Sequence, residues 1–143
     1  MKLTCWEIEF REKLITDLYL KGITAHNLGS GIFDLLVEGD KQQLVELKRV
    51  SYNFKGEYDP FYRGIVFSEN QTKVISRMKY PPVVIAYDCY TNESYLITPK
   101  WLKNEFPIYP SGHKATIYVN SSNFPKAMEY STLLDELHRY CVN

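Results

Sequence analysis

The stretch GIFDLLVEGDKQQLVELKR, residues 31–49, predicts a β-hairpin. Two runs rich in branched apolar residues, 31–37 and 43–49, read as strands. The residues between them, 38–42, form a turn-like stretch with glycine and aspartate at its centre. A loop with an odd number of residues, such as 39–41, fixes one register of the hairpin, and that register decides which side chains share a face.

In this register the polar face of the hairpin carries Asp34, Glu46 and Lys48. Asp34 lies directly across from Glu46, with side-chain roots about 5 Å apart. Glu46 and Lys48 point to the same side of their strand, roughly 6.6 Å apart. The opposite face is then entirely apolar and consists of Phe33, Leu35, Val37, Val45 and Leu47. One register therefore gives both a core face and a cluster of two acids and a lysine.

Two carboxylates held this close repel each other in a partly dry site, and a divalent cation removes the conflict. Oxygen ligands suit Mg²⁺, which keeps several waters and takes one or two carboxylates. With Lys48 beside them to hold a phosphate oxygen, the acids fit metal-assisted attack of water on a phosphodiester. The alternative is a surface ion pair, in which Asp34 and Glu46 only flank Lys48 and each pair contributes ~0–1 kcal/mol.

The order Asp34, then strand-borne Glu46-x-Lys48, resembles the motif of the PD-(D/E)xK, or restriction-endonuclease-like, nuclease superfamily. The proline that usually precedes the first aspartate is replaced here by Phe33. The short motif supports the superfamily better than any one of its members.

The wider stretch from Trp6 to Arg49 is similar to small restriction-type and homing endonucleases and to Holliday-junction resolvases. Those enzymes begin with a glutamate-bearing helix, followed by a glycine, a Ser-Gly loop and the two catalytic strands. The matching residues here are Glu7, Gly22 and Ser30-Gly31. The similarity covers the first half of the chain, and the remainder agrees only in its order of elements.

The resemblance implies an α/β domain with a central mixed β-sheet flanked by helices, in a restriction-endonuclease-like αβββαβ core. It implies Mg²⁺ as the cofactor, with Mn²⁺ able to substitute, held by Asp34 and Glu46 and helped by the Leu47 carbonyl. Lys48 is then expected to position the attacking water or to stabilise the phosphate. DNA is the expected substrate, and cleavage of two strands by so small a unit indicates a homodimer or a higher homo-oligomer.

Glu7 lies on a predicted helix, residues 3–21, whose apolar side chains recur every three or four residues. It falls within the apolar stripe of that helix, where an unpaired charge is costly. Either Glu7 reaches the metal site as a further catalytic residue, as the resemblance implies, or free N–H groups and the dipole of the first turn satisfy it. Arg11, one turn later, can pair with Glu7 in either case.

Residues 50–67 are expected to be loop-like, with aromatic side chains interleaved with Lys55 and Arg63. Such a segment can stack nucleic-acid bases, or it can form a subunit interface. Ser68 and Gln71 then predict a capping box at the start of the next helix. Because capping explains Gln71 by itself, Gln71 is not included in the predicted site.

Length and composition predict one compact domain, residues 1–143, with 45% hydrophobic and 24% charged residues. No apolar run of roughly 18 residues predicts a membrane span. Early acids argue against a signal peptide, and three widely spaced cysteines suit the reducing cytoplasm. The histidines lack zinc-hydrolase spacing, and no nucleotide-binding or esterase motif is present.

A net charge of zero counts against nonspecific coating of nucleic acid, but a local site can still meet phosphates. The leading hypothesis is a metal-dependent DNA endonuclease. One alternative is a catalytically silent DNA-binding or assembly subunit that keeps the nuclease fold. Another is a small structural interaction protein whose hairpin charges are only solvated.

Overall fold

The computed structural model describes residues 5–29, 31–52, 61–106 and 114–142, which contain four helices and seven strands. The elements follow in the order α1 (Cys5–Leu20), β1 (Thr24–Asn27), β2 (Leu35–Glu38), β3 (Gln42–Arg49), β4 (Gly64–Phe67), α2 (Glu69–Arg77), β5 (Val83–Asp88), β6 (Glu93–Ile97), α3 (Pro99–Glu105), β7 (Ala115–Tyr118) and α4 (Tyr130–Cys141).

Five strands form the main sheet, in the spatial order β1-β2-β3-β5-β6. The pairs β1–β2, β2–β3 and β5–β6 are antiparallel, whereas β3 and β5 are parallel. Strands β4 and β7 form a separate antiparallel ribbon. The prediction of a mixed sheet flanked by helices is confirmed, and the αβββαβ order is found with β4 inserted before the second helix.

The main sheet separates two apolar cores. The first core packs α1 and α4 against one face, through residues such as Leu14, Leu18, Leu133 and Leu137. The second core packs α2, α3 and the β4–β7 ribbon against the other face. Alternation along β3 distributes its side chains accordingly, since Val45 and Leu47 enter the first core and Glu46 and Lys48 point toward the second.

The hairpin register matches the prediction. Leu35 pairs with Val45 and Glu38 pairs with Gln42, which leaves a three-residue loop, 39–41. Continuing the same register by one residue places Asp34 across from Glu46.

The turn of this hairpin packs against the end of α4. The backbone N–H of Asp40 donates to the carbonyl of Cys141 at 3.0 Å. A Cβ atom at Gly39 would lie 2.6 Å from the same carbonyl oxygen, which only a glycine avoids. The turn and the last helix therefore hold each other in place.

One strand is shorter than predicted. β2 begins at Leu35, and residues 31–34 form a bend instead of extended strand. The pattern predicted Phe33 on the same apolar face as Leu35 and Val37. That prediction was wrong, because the bend takes Phe33 out of the alternation. It packs in the second core, together with Val50 and Phe67.

The prediction of a loop from 50 to 67 was wrong at its end, because β4 occupies Gly64–Phe67. Ser51 also bridges Gly64, with N–H···O distances of 2.7 and 2.8 Å. A four-residue apolar strand inside an aromatic-rich segment gives too short a pattern to stand out. Residues 53–60, including Lys55, lie outside the described residues.

His26 is exposed and lies on strand β1. Its Nε2 atom is 2.8 Å from Oε2 of Glu38 on the neighbouring strand.

Among the described residues, no helix is long and apolar enough to cross a membrane.

Candidate active site

Asp34 and Glu46 lie together at the start of the hairpin, as the register predicts. The Glu46 side chain is only 5% exposed. Burial, followed by the hydrogen bond and the negative charge of Asp34, raises the pKa of Glu46 to about 8; Lys48 and Gln71 act in the opposite direction. Burial and the neighbouring Asp34 therefore favour the protonated form of the Glu46 carboxyl, which donates a hydrogen bond to Asp34.

Lys48 joins this pair from the same face of β3. Its Nζ atom is 3.4 Å from Oε2 of Glu46 and donates to Oε1 of Gln71 at 2.7 Å. The ammonium group also lies 4.8 Å from the ring centroid of Phe67, the last residue of β4. Glu46 and Lys48 are thus brought into contact, as predicted.

Gln71 is the residue of this cluster that sequence reasoning left out. Its backbone N–H donates to Oγ of Ser68 at 3.1 Å, and its side-chain Oε1 accepts from the backbone N–H of Ser68. The predicted capping box is therefore present. The same side-chain amide also donates to Oε2 of Glu46 and to the Ile32 carbonyl, the latter at 3.0 Å. Capping the helix and contacting Glu46 are therefore compatible roles of Gln71.

Arg11 of α1 contacts the carboxylate of Asp34. Nη2 of Arg11 donates to Oδ1 of Asp34, and Nη1 donates to Oδ1 of Asn27 at 2.8 Å. The residue is 4% exposed, and its Nε atom has no hydrogen-bond partner among the described residues. A buried guanidinium thus fixes the orientation of the Asp34 carboxylate.

Leu47 contributes to the site through its backbone. Its N–H donates to Oδ2 of Asp34 at 2.8 Å, while its side chain enters the first core. Arg11 and Leu47 therefore hold one oxygen of Asp34 each. Each carboxylate oxygen has about two lone-pair directions, so with the hydrogen bond from Glu46 about one acceptor direction of Asp34 remains.

Glu7 is half-buried on α1, one turn before Arg11. Residues four apart on a helix have neighbouring side chains, which places Glu7 on the side of α1 that carries Arg11. Within the described part of the chain, no three histidine, cysteine, aspartate or glutamate residues form a group able to hold a metal ion. Glu7 therefore does not complete a three-acid centre with Asp34 and Glu46.

Arg63, which follows the aromatic-rich segment, is held in a largely buried ion pair. Nη1 of Arg63 pairs with the fully buried Asp88 at 3.0 Å, which also accepts from the hydroxyl of Tyr52 at 2.5 Å. Burial opposes ionisation of Asp88, but these hydrogen bonds, with those from the N–H groups of Tyr90 and Thr91, lower its pKa. Arg63 therefore serves mainly to hold the end of β5.

From the end of β3 to the segment after α2, the side chains of Arg49, Lys73, Arg77 and Lys79 are exposed.

Of the two residues that the predicted site lacked, Arg11 and Gln71, only Arg11 had a signal in the sequence. Arg11 lies on the inward stripe of the first helix, where a buried cation demands an acidic partner. Gln71 gave no such signal, because its capping role already satisfies the local pattern. Its second contact depends on the distance between α2 and β3, which only the fold determines.

The fold is similar to that of a bacterial homing endonuclease, I-Ssp6803I, with a TM-score of 0.51. The similarity covers 99% of this chain and 93% of that chain, at 12% sequence identity. No protein-family model matches the chain, and no curated protein matches its sequence. At this identity the comparison establishes a shared α/β fold with that nuclease.

Proposed function

We propose that the protein is a Mg²⁺-dependent DNA endonuclease of the PD-(D/E)xK type, with Asp34, Glu46 and Lys48 as its catalytic residues. The observation that carries the proposal is the Asp34–Glu46 pair, with Lys48 3.4 Å from Glu46 on the same face of β3. The shared fold with a homing endonuclease supports the same activity.

The donor set fits a divalent metal ion. Asp34 and Glu46 present hard oxygen ligands, and a divalent ion would offset the two causes that raise the pKa of Glu46, burial first and then the neighbouring Asp34. Asp34, Glu46 and the Leu47 carbonyl are the groups that would hold the ion. When bound, it would supply Lewis-acid activation of water and neutralise charge on the scissile phosphate.

Lys48 and Gln71 supply the organised donors of the site. An ammonium group has three N–H donors, and those of Lys48 that are not directed to Gln71 and Glu46 are available to a phosphate oxygen or to the attacking water. Gln71 holds both Lys48 and Glu46, so it keeps the acid and the cation at a fixed separation. Glu7, one turn before Arg11, can join the site through a water molecule.

Cleavage of both strands by this small unit requires two copies, so we expect a homodimer or a higher homo-oligomer. Light scattering on the purified protein measures this directly, and a monomer in the presence of DNA would contradict the expectation.

Cleavage is tested by incubating the protein with supercoiled, linear and four-way-junction DNA in Mg²⁺ or Mn²⁺. Lys48→Ala and Asp34→Asn should each abolish cleavage while circular dichroism shows a folded protein. Lys41→Ala, which removes an exposed lysine from the turn of the same hairpin, is the matched control and should cleave normally. Cleavage retained by both site variants would refute the assignment.

A second candidate function, DNA binding without catalysis, is favoured by one observation. The buried Arg11 already pairs with Asp34, and only two acids meet at the site within the described residues. Isothermal titration with Mg²⁺ separates the two candidates, since a silent relative should bind the ion weakly. A bound ion should also raise the free energy of unfolding by RT ln(1 + [Mg²⁺]/Kd).

A further inference from the structure

The β4–β7 ribbon has one buried face and one exposed face. Ile65, Phe67 and Ile117 point into the second core. The residues that alternate with them form what we call the outer face, which comprises Tyr62, Val66, Lys114, Thr116 and Tyr118. The rings of Tyr62 and Tyr118 stand edge to face with centroids 6.0 Å apart, and Tyr118 is 47% exposed.

The outer face differs in charge from the rest of the molecule. The chain as a whole carries 17 basic and 17 acidic residues. In contrast, residues 61–68 and 114–128 contain no aspartate or glutamate, and Lys114 is an exposed cation on the ribbon. A surface that meets a polyanion needs this absence of acids, whereas a typical protein surface mixes both signs.

The ribbon is continuous with the candidate active site. Phe67, the last residue of β4, lies beneath the ammonium group of Lys48, and Ser68 then caps the helix that carries Gln71. At its other end, Gly64 bridges Ser51 just beyond the catalytic strand β3. A duplex bound with a phosphate at Lys48 would therefore lie next to the ribbon.

We propose that the outer face of the β4–β7 ribbon reads base edges in the major groove of duplex DNA, an inference that rests on the proposed endonuclease function. The major groove admits a two-stranded β-ribbon, and each base pair presents a distinct pattern of donors, acceptors and methyl groups there. Tyr118 and Thr116 supply hydroxyl groups that can donate and accept hydrogen bonds. Val66 supplies an apolar contact for a thymine methyl group, and Lys114 supplies a contact to a phosphate.

The test uses a pool of DNA duplexes with a randomised central segment, bound to the wild-type protein in EDTA so that no cleavage occurs. The enriched duplexes are sequenced and one is used for fluorescence anisotropy beside the unselected pool. Tyr118→Ala should weaken binding to the enriched duplex by at least about fivefold, the loss expected for one base contact. Binding to the unselected pool and its salt dependence should not change, because no charge is removed.

Tyr19→Ala is the matched control, since Tyr19 is 71% exposed on α1, which packs on the other face of the main sheet. Val66→Ala provides a second outer-face variant should Tyr118→Ala prove unstable in thermal melts; it should lose discrimination at thymine positions.

Three results would overturn the inference. In the first, the wild type enriches no sequence, and in the second, both outer-face variants bind the enriched duplex as tightly as the wild type does. If the variants instead lost the oligomer and kept the DNA preference, the ribbon would be a subunit interface. Adding Mg²⁺ to the same wild-type complexes tests the endonuclease proposal separately. If the wild type prefers the enriched duplex but does not cleave it in Mg²⁺, the endonuclease proposal is rejected and the proposal for the ribbon stands.

Discussion

Glu46→Gln should stabilise the metal-free protein at alkaline pH. The folded state raises the pKa of Glu46 from 4.5 to about 8, chiefly because the carboxyl is buried and lies beside Asp34. Below pH 4.5 both folded and unfolded chains hold the proton, so the wild type suffers no penalty. Between 4.5 and 8 the unfolded chain loses the proton first, and the free energy of unfolding therefore falls as pH rises.

The size of the effect follows from the same shift. Each tenfold change in proton affinity is worth about 1.4 kcal/mol, so the full penalty above pH 8 has an upper bound of about 5 kcal/mol. Glutamine has the shape of the protonated glutamate, and it can donate to Asp34 and accept from Gln71. The variant therefore keeps the contacts of the protonated acid and does not titrate.

Urea denaturation in EDTA at about pH 5 and about pH 8.5 measures the effect. Wild type and Glu46→Gln should be similar at the lower pH, and the variant should be more stable by several kcal/mol at the higher pH. Glu38→Gln is the control, because Glu38 is exposed on the same hairpin and hydrogen bonds from His26 and Gln42 lower its pKa. Stability curves of wild type and Glu46→Gln that run parallel across this range would refute the reasoning.

Two further predictions concern stability. Arg11→Met breaks the buried pair with Asp34 and should lower the free energy of unfolding by about 3–5 kcal/mol in urea denaturation; a loss below about 1 kcal/mol would mean that the pair is solvated. Gly39→Ala places a methyl group 2.6 Å from the Cys141 carbonyl and should cost about 1–3 kcal/mol, seen as a lower Tm. Lys41→Ala in the same turn should leave Tm unchanged, and an equal Tm for both variants would contradict the clash.

The sequence was sufficient to predict the hairpin and its register. Alternation along the strands, together with a three-residue loop, places Asp34 across from Glu46, and both signals are local. Local patterns also predicted the Ser68 capping box and the first helix. They failed at Phe33, because the strand begins only at Leu35.

The rest of the site depends on contacts between distant segments. Arg11 pairs with Asp34 because α1 crosses the start of the hairpin, and local spacing offered Glu7 as its partner. The contact of Gln71 with Glu46 spans 25 residues, and no periodicity encodes it. The β4–β7 pairing joins segments on either side of α2, β5, β6 and α3, which no hairpin signal could reveal.

The contact between the hairpin turn and Cys141 has a consequence for the order of events during synthesis. A ribosome makes Asp34, Glu46 and Lys48 long before it makes the helix that braces their turn. A slip of one residue would carry Glu46 to the wrong side of the ribbon. The turn therefore gains this contact only once translation has passed Cys141, and the last helix then reinforces a register that the strands and the loop already favour.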